Sequence, residues 1–184
     1  MVSPLLAKAR AEGREIVEVT PERAGWTHVG FRALRLRKGE SENIATGARE
    51  LCLVVLTGKV DVTVGGHTFA DLGTRESVFE DKAPAAIYVP SNMALTVRAA
   101  KDAEVALCTA PGGAKVREVR LLDPAKMTRS VRGQGTNTRY VCDILPHDDP
   151  TAAHLLVVEV ITPASHSSSY PPHKHDQEAL PTET

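Results

Sequence analysis

Aromatic residues are scarce in this sequence: one Trp, three Tyr and three Phe make up 4% of 184 positions. So few stacking platforms exclude the base-stacking grooves of single-strand nucleic-acid binders. Neither charge sign prevails. Lys and Arg number 22 against 23 Asp and Glu, a formal net charge of −1, and no run of like charge occurs. That balance leaves no electrostatic footprint for a polyanion. No stretch approaches the roughly 20 apolar residues of a membrane span, and the opening MVSPLLAKARAEGREIVEV reads as lacking a signal peptide. The three cysteines, Cys52, Cys108 and Cys142, are an odd count, and the first two sit inside apolar runs. They read as small buried hydrophobes in a reducing cytoplasm, not as disulfide or metal groups. Helical periodicity is equally sparse, and a short helix over Pro4 to Glu12 is the one expected.

Strand signals are plentiful. Leu51 to Leu56 is a continuous apolar run suited to a strand buried on both faces. After Thr57-Gly58, Val60, Val62 and Val64 alternate with Asp61 and Thr63, the pattern of a half-buried strand. Gly65-Gly66 reads as a tight hairpin turn, with His67-Thr68-Phe69 starting the return strand. Ala86 to Val89 is a further strand ended by Pro90, and Leu95–Ala99 with Glu104–Thr109 reads as a hairpin about Lys101-Asp102. Earlier strands are expected at Glu18 to Val19 and Phe31 to Leu36, later ones at Tyr140–Leu145 and Leu155–Ile161. Many short, evenly spaced strands indicate an all-β barrel or sandwich. The turn-rich Ala110-Pro111-Gly112-Gly113-Ala114 closes a first unit over 1–118, a connector follows over 119–131, and a second unit starts at 132 and runs to 184.

The most specific feature lies near the end, Tyr170-Pro171-Pro172-His173-Lys174-His175-Asp176. On a strand, His-x-His places two imidazoles on one face, half of a divalent metal site. Combined with Arg132-Gly133-Gln134-Gly135-Thr136-Asn137-Thr138-Arg139-Tyr140-Val141 and the run Ser167 to Asp176, the chain resembles the 5-deoxy-glucuronate isomerase family. That family belongs to the cupin superfamily and is related to 4-deoxy-L-threo-5-hexosulose-uronate ketol-isomerase. The resemblance implies a bicupin, two double-stranded β-helix (jelly-roll) barrels with one metal-dependent site in the second. It also implies interconversion of an aldehyde uronate with its 2-keto isomer in myo-inositol catabolism, in a cytoplasmic homo-oligomer. The family's remaining ligands, a glutamate on the next strand and a later histidine, find no counterpart. Only nine residues follow His175, so the second barrel reads as incomplete.

The candidate residues follow from this resemblance and from their chemistry. His173 and His175 are the expected ligands of a divalent metal, zinc or manganese; exposed loop histidines are the alternative. Arg132, Asn137 and Arg139 are candidates for gripping a substrate carboxylate, since a planar guanidinium binds carboxylates bidentately; a solvated loop is the other reading. Glu159 interrupts the apolar LLVVEVI as either a proton-transfer carboxylate or an outward-facing group. Tyr170 could donate to a substrate oxygen or simply pack. The first barrel lacks a His-x-His, and Glu50 alone cannot hold a transition metal, so that barrel reads as metal-free. A catalytically silent cupin, serving as a sugar-acid binder or oligomeric scaffold, is the competing class.

Overall fold

The computed structural model describes residues 7–115 and 117–168. In chain order they form β1 (Glu15–Val19), the one-turn helix α1 (Pro21–Ala24), β2 (Gly30–Leu36), β3 (Ser41–Ala45), β4 (Arg49–Thr57), β5 (Val60–Val64) and β6 (His67–Leu72). There follow β7 (Ala86–Val89), β8 (Ala94–Ala99), β9 (Ala103–Pro111), β10 (Arg120–Leu122), β11 (Thr128–Arg132), β12 (Arg139–Leu145) and β13 (Val157–Ile161). No helix forms over 7–12. The helical turn lies instead at Pro21, where the Thr20 hydroxyl accepts from the Arg23 amide and Gly25 closes the turn at φ +75°.

Strands β2 to β9 shuttle between two sheets, one ordered β2-β9-β4-β7 and the other β3-β8-β5-β6. This is a jelly roll, the first cupin barrel. Strands β1 and β10 extend the first sheet to six strands, and β11-β12-β13 form a third, separate sheet. Part of the stretch expected as connector, 119–131, therefore belongs to sheets on either side: β10 pairs with β7 and β11 pairs with β12.

The period-2 alternation of side chains explains how one sheet supports two cores. Leu51, Leu53 and Val55 of β4, Ile87 and Val89 of β7, and Val105 and Leu107 of β9 face the barrel interior. There they meet Val60, Val62, Val64, Leu95 and Val97 from the opposing sheet. The intervening residues Cys52, Val54, Ala86, Tyr88 and Ala106 face outward and pack on Leu122, Cys142, Ile144, Leu145, Leu155 and Val157. Each fully buried Val or Leu contributes about 1.5–3 kcal/mol. The three-layer stack therefore gains on both faces of its central sheet, which is why β4 reads as unbroken apolar sequence.

The expected hairpin over 95–109 does not form. β8 pairs with β3 and β5, whereas β9 pairs with β2 and β4 in the other sheet. The corner between them spends its hydrogen bonds elsewhere: the Ala100 and Lys101 amides donate to the Lys59 carbonyl, at 2.9 and 3.1 Å, and Asp102 accepts from the Lys38 amide at 2.7 Å. Gly58 makes this convergence of crossings possible. It sits at φ +74°, and a Cβ there would lie 1.9 Å from the Asp102 carbonyl oxygen. The Gly65-Gly66 turn does form a hairpin, between β5 and β6, with both glycines at positive φ. Among the described residues no helix is long and apolar enough to cross a membrane.

Candidate functional site

The third sheet carries the candidate residues on two different faces. Its register pairs Arg132 with Arg139, Val141 with Val160, and Cys142 with Glu159. Side chains of directly paired residues share a face, so Arg132, Arg139, Val141, Asp143, Val158 and Val160 lie on one side. Cys142 and Glu159 lie on the other, toward the first barrel. Val158 and Val160, each 41% accessible, leave the arginine face partly open, while Val141 on the same face is buried.

Arg132 and Arg139 are brought side by side by a turn that the sequence builds with glycine. Gly133 adopts φ +81°, and a Cβ at that position would lie 2.1 Å from the Asn137 carbonyl oxygen. A 3-10 turn over Gly135–Asn137 then returns the chain. Arg139 Nη1 donates to the carbonyl and Oδ1 of Asn137, at 3.1 and 3.0 Å. Arg132 Nη2 reaches both oxygens of Asp143, at 3.3 and 3.4 Å. The expected trio Arg132, Asn137 and Arg139 is thus clustered at one end of the sheet. The segment leading toward the His pair docks on the same turn. The Ser167 amide donates to Thr136 O at 2.8 Å, Asn137 Nδ2 donates to Ser167 O at 3.2 Å, and His166 Nδ1 lies 2.9 Å from Thr138 O. Tyr170, His173 and His175 themselves lie outside the described residues. Among the described residues no group of three or more His, Cys, Asp or Glu is placed to hold a metal ion.

Glu159 is neither outward-facing nor beside the arginine pair. It meets Arg75, which comes from the long connection between β6 and β7 and whose side chain is fully buried. Arg75 Nη1 donates to Glu159 Oε2 at 2.7 Å, and Nη2 bonds Oε1, a bidentate pairing. The same guanidinium donates to the carbonyls of Leu56 and Lys82, at 3.0 and 3.1 Å. A groove of about 360 Å³ opens alongside, lined in part by Lys82, Arg129, Tyr140, Cys142 and Ile161.

A second buried charge was not expected from the sequence. Glu50 is 1% exposed and points out of the first barrel into the interlayer core. Its Oε2 accepts from the Tyr88 hydroxyl and the Ala153 amide at 2.7 and 2.8 Å. Its Oε1 accepts from the His154 and Leu155 amides, both at 2.7 Å. Burial alone would raise the Glu50 carboxyl, but these four donors outweigh it and hold the group below the ordinary carboxylate range. Burial, then the hydrogen bond it donates to Glu50 and the charge of that carboxylate, push the Tyr88 hydroxyl in the opposite direction, upward. Burial likewise raises the thiols, that of Cys108 to about 11. All three cysteines are free, and Cys52 and Cys142 are buried in the same interlayer, so they serve as packing groups.

A family model for the KduI/IolB family matches residues 5–184 of this jelly roll and its appended sheet. The chain belongs to the KduI/IolB family. It is 44% identical over 173 residues to a 5-deoxy-glucuronate isomerase of Geobacillus kaustophilus, covering 94% of this chain and 62% of that protein. A 5-deoxy-glucuronate isomerase of Bacillus licheniformis is 40% identical over 188 residues, with 69% of its length covered. Among solved structures, an IolB-like protein from Salmonella typhimurium superposes with TM-score 0.91 at 39% identity, over 98% of this chain and 68% of the other. The chain thus spans about three-fifths to two-thirds of the length of these KduI/IolB relatives.

Proposed function

We propose that the protein acts as a 5-deoxy-glucuronate isomerase, converting 5-deoxy-D-glucuronate to 2-deoxy-5-keto-D-gluconate in cytoplasmic myo-inositol catabolism, as a homo-oligomer. The name carried by relatives at 44% identity supports the reaction. The observation that carries the reading is the paired Arg132 and Arg139 on the open face of the third sheet, beside the segment that leads to the His pair.

A uronate has a carboxylate at one end and its aldehyde at the other. On this reading Arg132 and Arg139 bind the carboxylate, and Asn137 braces Arg139 through its carbonyl and side-chain oxygen. Binding the unreactive end fixes the distance of the aldehyde from the arginines, which converts affinity into orientation. In sequence, His173 follows five residues after Ser168. His173 and His175 are the proposed ligands of a divalent cation, zinc or manganese, which when bound polarises the carbonyl as a Lewis acid. Two imidazoles are an incomplete set for such an ion, and further ligands must complete its shell. Tyr170 is the proposed donor to a substrate oxygen. Glu159 occupies the face opposite the arginines with both oxygens on Arg75, and its proposed duty is to join the layers.

Metal analysis tests the ligands: the chain is compared with its His173→Ala, His175→Ala variant, and equal metal content in the two removes the assignment. Carbon NMR of 5-deoxy-D-glucuronate incubated with the metal-supplemented chain tests the reaction. Appearance of the 2-keto product supports it, and binding without conversion overturns the enzyme reading in favour of a sugar-acid binding protein.

A further inference from the structure

We infer that Asp143 is an internal competitor for the substrate carboxylate, a specificity-determining residue that occupies Arg132 until a sugar acid displaces it. The inference rests on the uronate reading of the arginine face. Its starting point is an electrostatic imbalance. Arg132 and Arg139 are register partners on adjacent antiparallel strands, so their Cβ atoms lie about 4.5–5.5 Å apart and the like charges repel. Asp143 is the one carboxylate bonded to this pair among the described residues, and it reaches Arg132 alone. Among the described residues, the face is left with a surplus positive charge.

The Arg132–Asp143 contact is also weak by its own geometry. A single nitrogen, Nη2, is shared between both carboxylate oxygens at 3.3 and 3.4 Å. Charge-assisted bonds ordinarily run near 2.7–2.9 Å, and the strong Arg–carboxylate arrangement uses two nitrogens in parallel. The remaining contact of this guanidinium, Nε to Ser130 Oγ, is 3.4 Å. The Arg132 side chain is 50% exposed, whereas Asp143 is 17% exposed. Arg75 and Glu159, in the same sheet stack, show the contrasting case: bidentate, with the arginine wholly enclosed. Arg132 is therefore held loosely, reachable from solvent, and free to present a two-nitrogen fork to a better-placed carboxylate. Asp143 neutralises one of the two guanidinium charges when the site is empty and lowers its affinity for anions that bind with one oxygen.

Titration of the full chain with D-glucuronate, followed by calorimetry at low ionic strength, tests this, with neutral D-glucose as control. Asp143→Asn removes the competitor's charge and is expected to tighten glucuronate binding about two- to five-fold, the scale of a partly exposed ion pair. Arg132→Gln is expected to weaken it about ten-fold. Glucose binding should respond to neither. Asp143→Ser is the second variant, and it must move affinity in the same direction; damage to the fold cannot produce a gain. An unchanged or weaker Kd in Asp143→Asn and Asp143→Ser, with Arg132→Gln still impaired, overturns the competitor role and leaves the uronate reading standing. Unchanged affinity in both Arg132→Gln and Arg139→Gln overturns both.

Discussion

Replacing Glu50 by Ala should be among the most damaging single changes in this protein, although the residue is remote from the candidate site. The side chain is 1% exposed, and its two oxygens receive three backbone N–H groups from residues 153–155 and one hydroxyl. Truncation leaves those amides buried without an acceptor, at about 1–3 kcal/mol each, and opens a void beneath Tyr88. A loss of about 4–6 kcal/mol is expected, a large share of the 5–15 kcal/mol typical of a folded domain. Glu50→Gln keeps the volume and one acceptor but turns two donors toward an NH2 group, and should cost about 2–3 kcal/mol. Urea unfolding followed by circular dichroism measures both losses, and amide exchange at Ala153, His154 and Leu155 locates them. Glu50→Ala within 1 kcal/mol of wild type, or undiminished protection of those amides, would refute the reasoning. The same contacts set a pH dependence. A carboxyl held below its unfolded value, about 4.3, contributes its full stability above that pH and loses it as pH falls through the lower folded value. Asp149, lowered by its bonds to Thr151 against the opposing effect of burial, acts in the same direction. Glu50→Gln should therefore flatten the acid limb of stability without abolishing it.

Two further outcomes are expected. Glu159→Gln leaves the enclosed Arg75 without its counter-charge and should cost about 3–5 kcal/mol; a double-mutant cycle with Arg75→Met should show about 1–3 kcal/mol of coupling, and strict additivity would remove the interlayer role. Gly133→Ala forces a Cβ against the Asn137 carbonyl in a left-handed conformation, costing about 2 kcal/mol. That loss should appear as a thermal midpoint lower by roughly 4–8 °C, and an unshifted midpoint would mean that the turn carrying Arg132 rearranges freely.

Strand identity was legible where patterning was strong. The run Leu51 to Leu56 announced burial on both faces, and the sheet indeed packs one core on Leu51, Leu53 and Val55 and another on Cys52 and Val54. β3 was missed because Ser41-Glu42-Asn43-Ile44-Ala45 offers a single large apolar residue; its inward Glu42 is matched instead by Arg32 at 2.9 Å. The apparent hairpin at Lys101-Asp102 failed for a related reason. A turn between two apolar runs looks the same in sequence whether the strands pair or part to separate sheets, and hydrogen bonds to Lys59 and Lys38 decided the matter.

The candidate residues divide along the same line. Arg132, Asn137 and Arg139 were visible because a local turn of six residues, 133–138, brings them together, and a glycine-dependent turn is written in adjacent positions. Glu159 was visible as an anomaly, but its partner Arg75 stands 84 residues away, and Glu50 finds its amide donors more than 100 residues downstream. Composition, alternation and the motifs by themselves determined the class of fold, most strands of the first barrel and the family. Which face of the third sheet opens to solvent, and which carboxylates are locked between layers, only tertiary packing decided. Burial and hydrogen-bond partnership depend on what the folded chain places opposite a residue, and no local pattern specifies that.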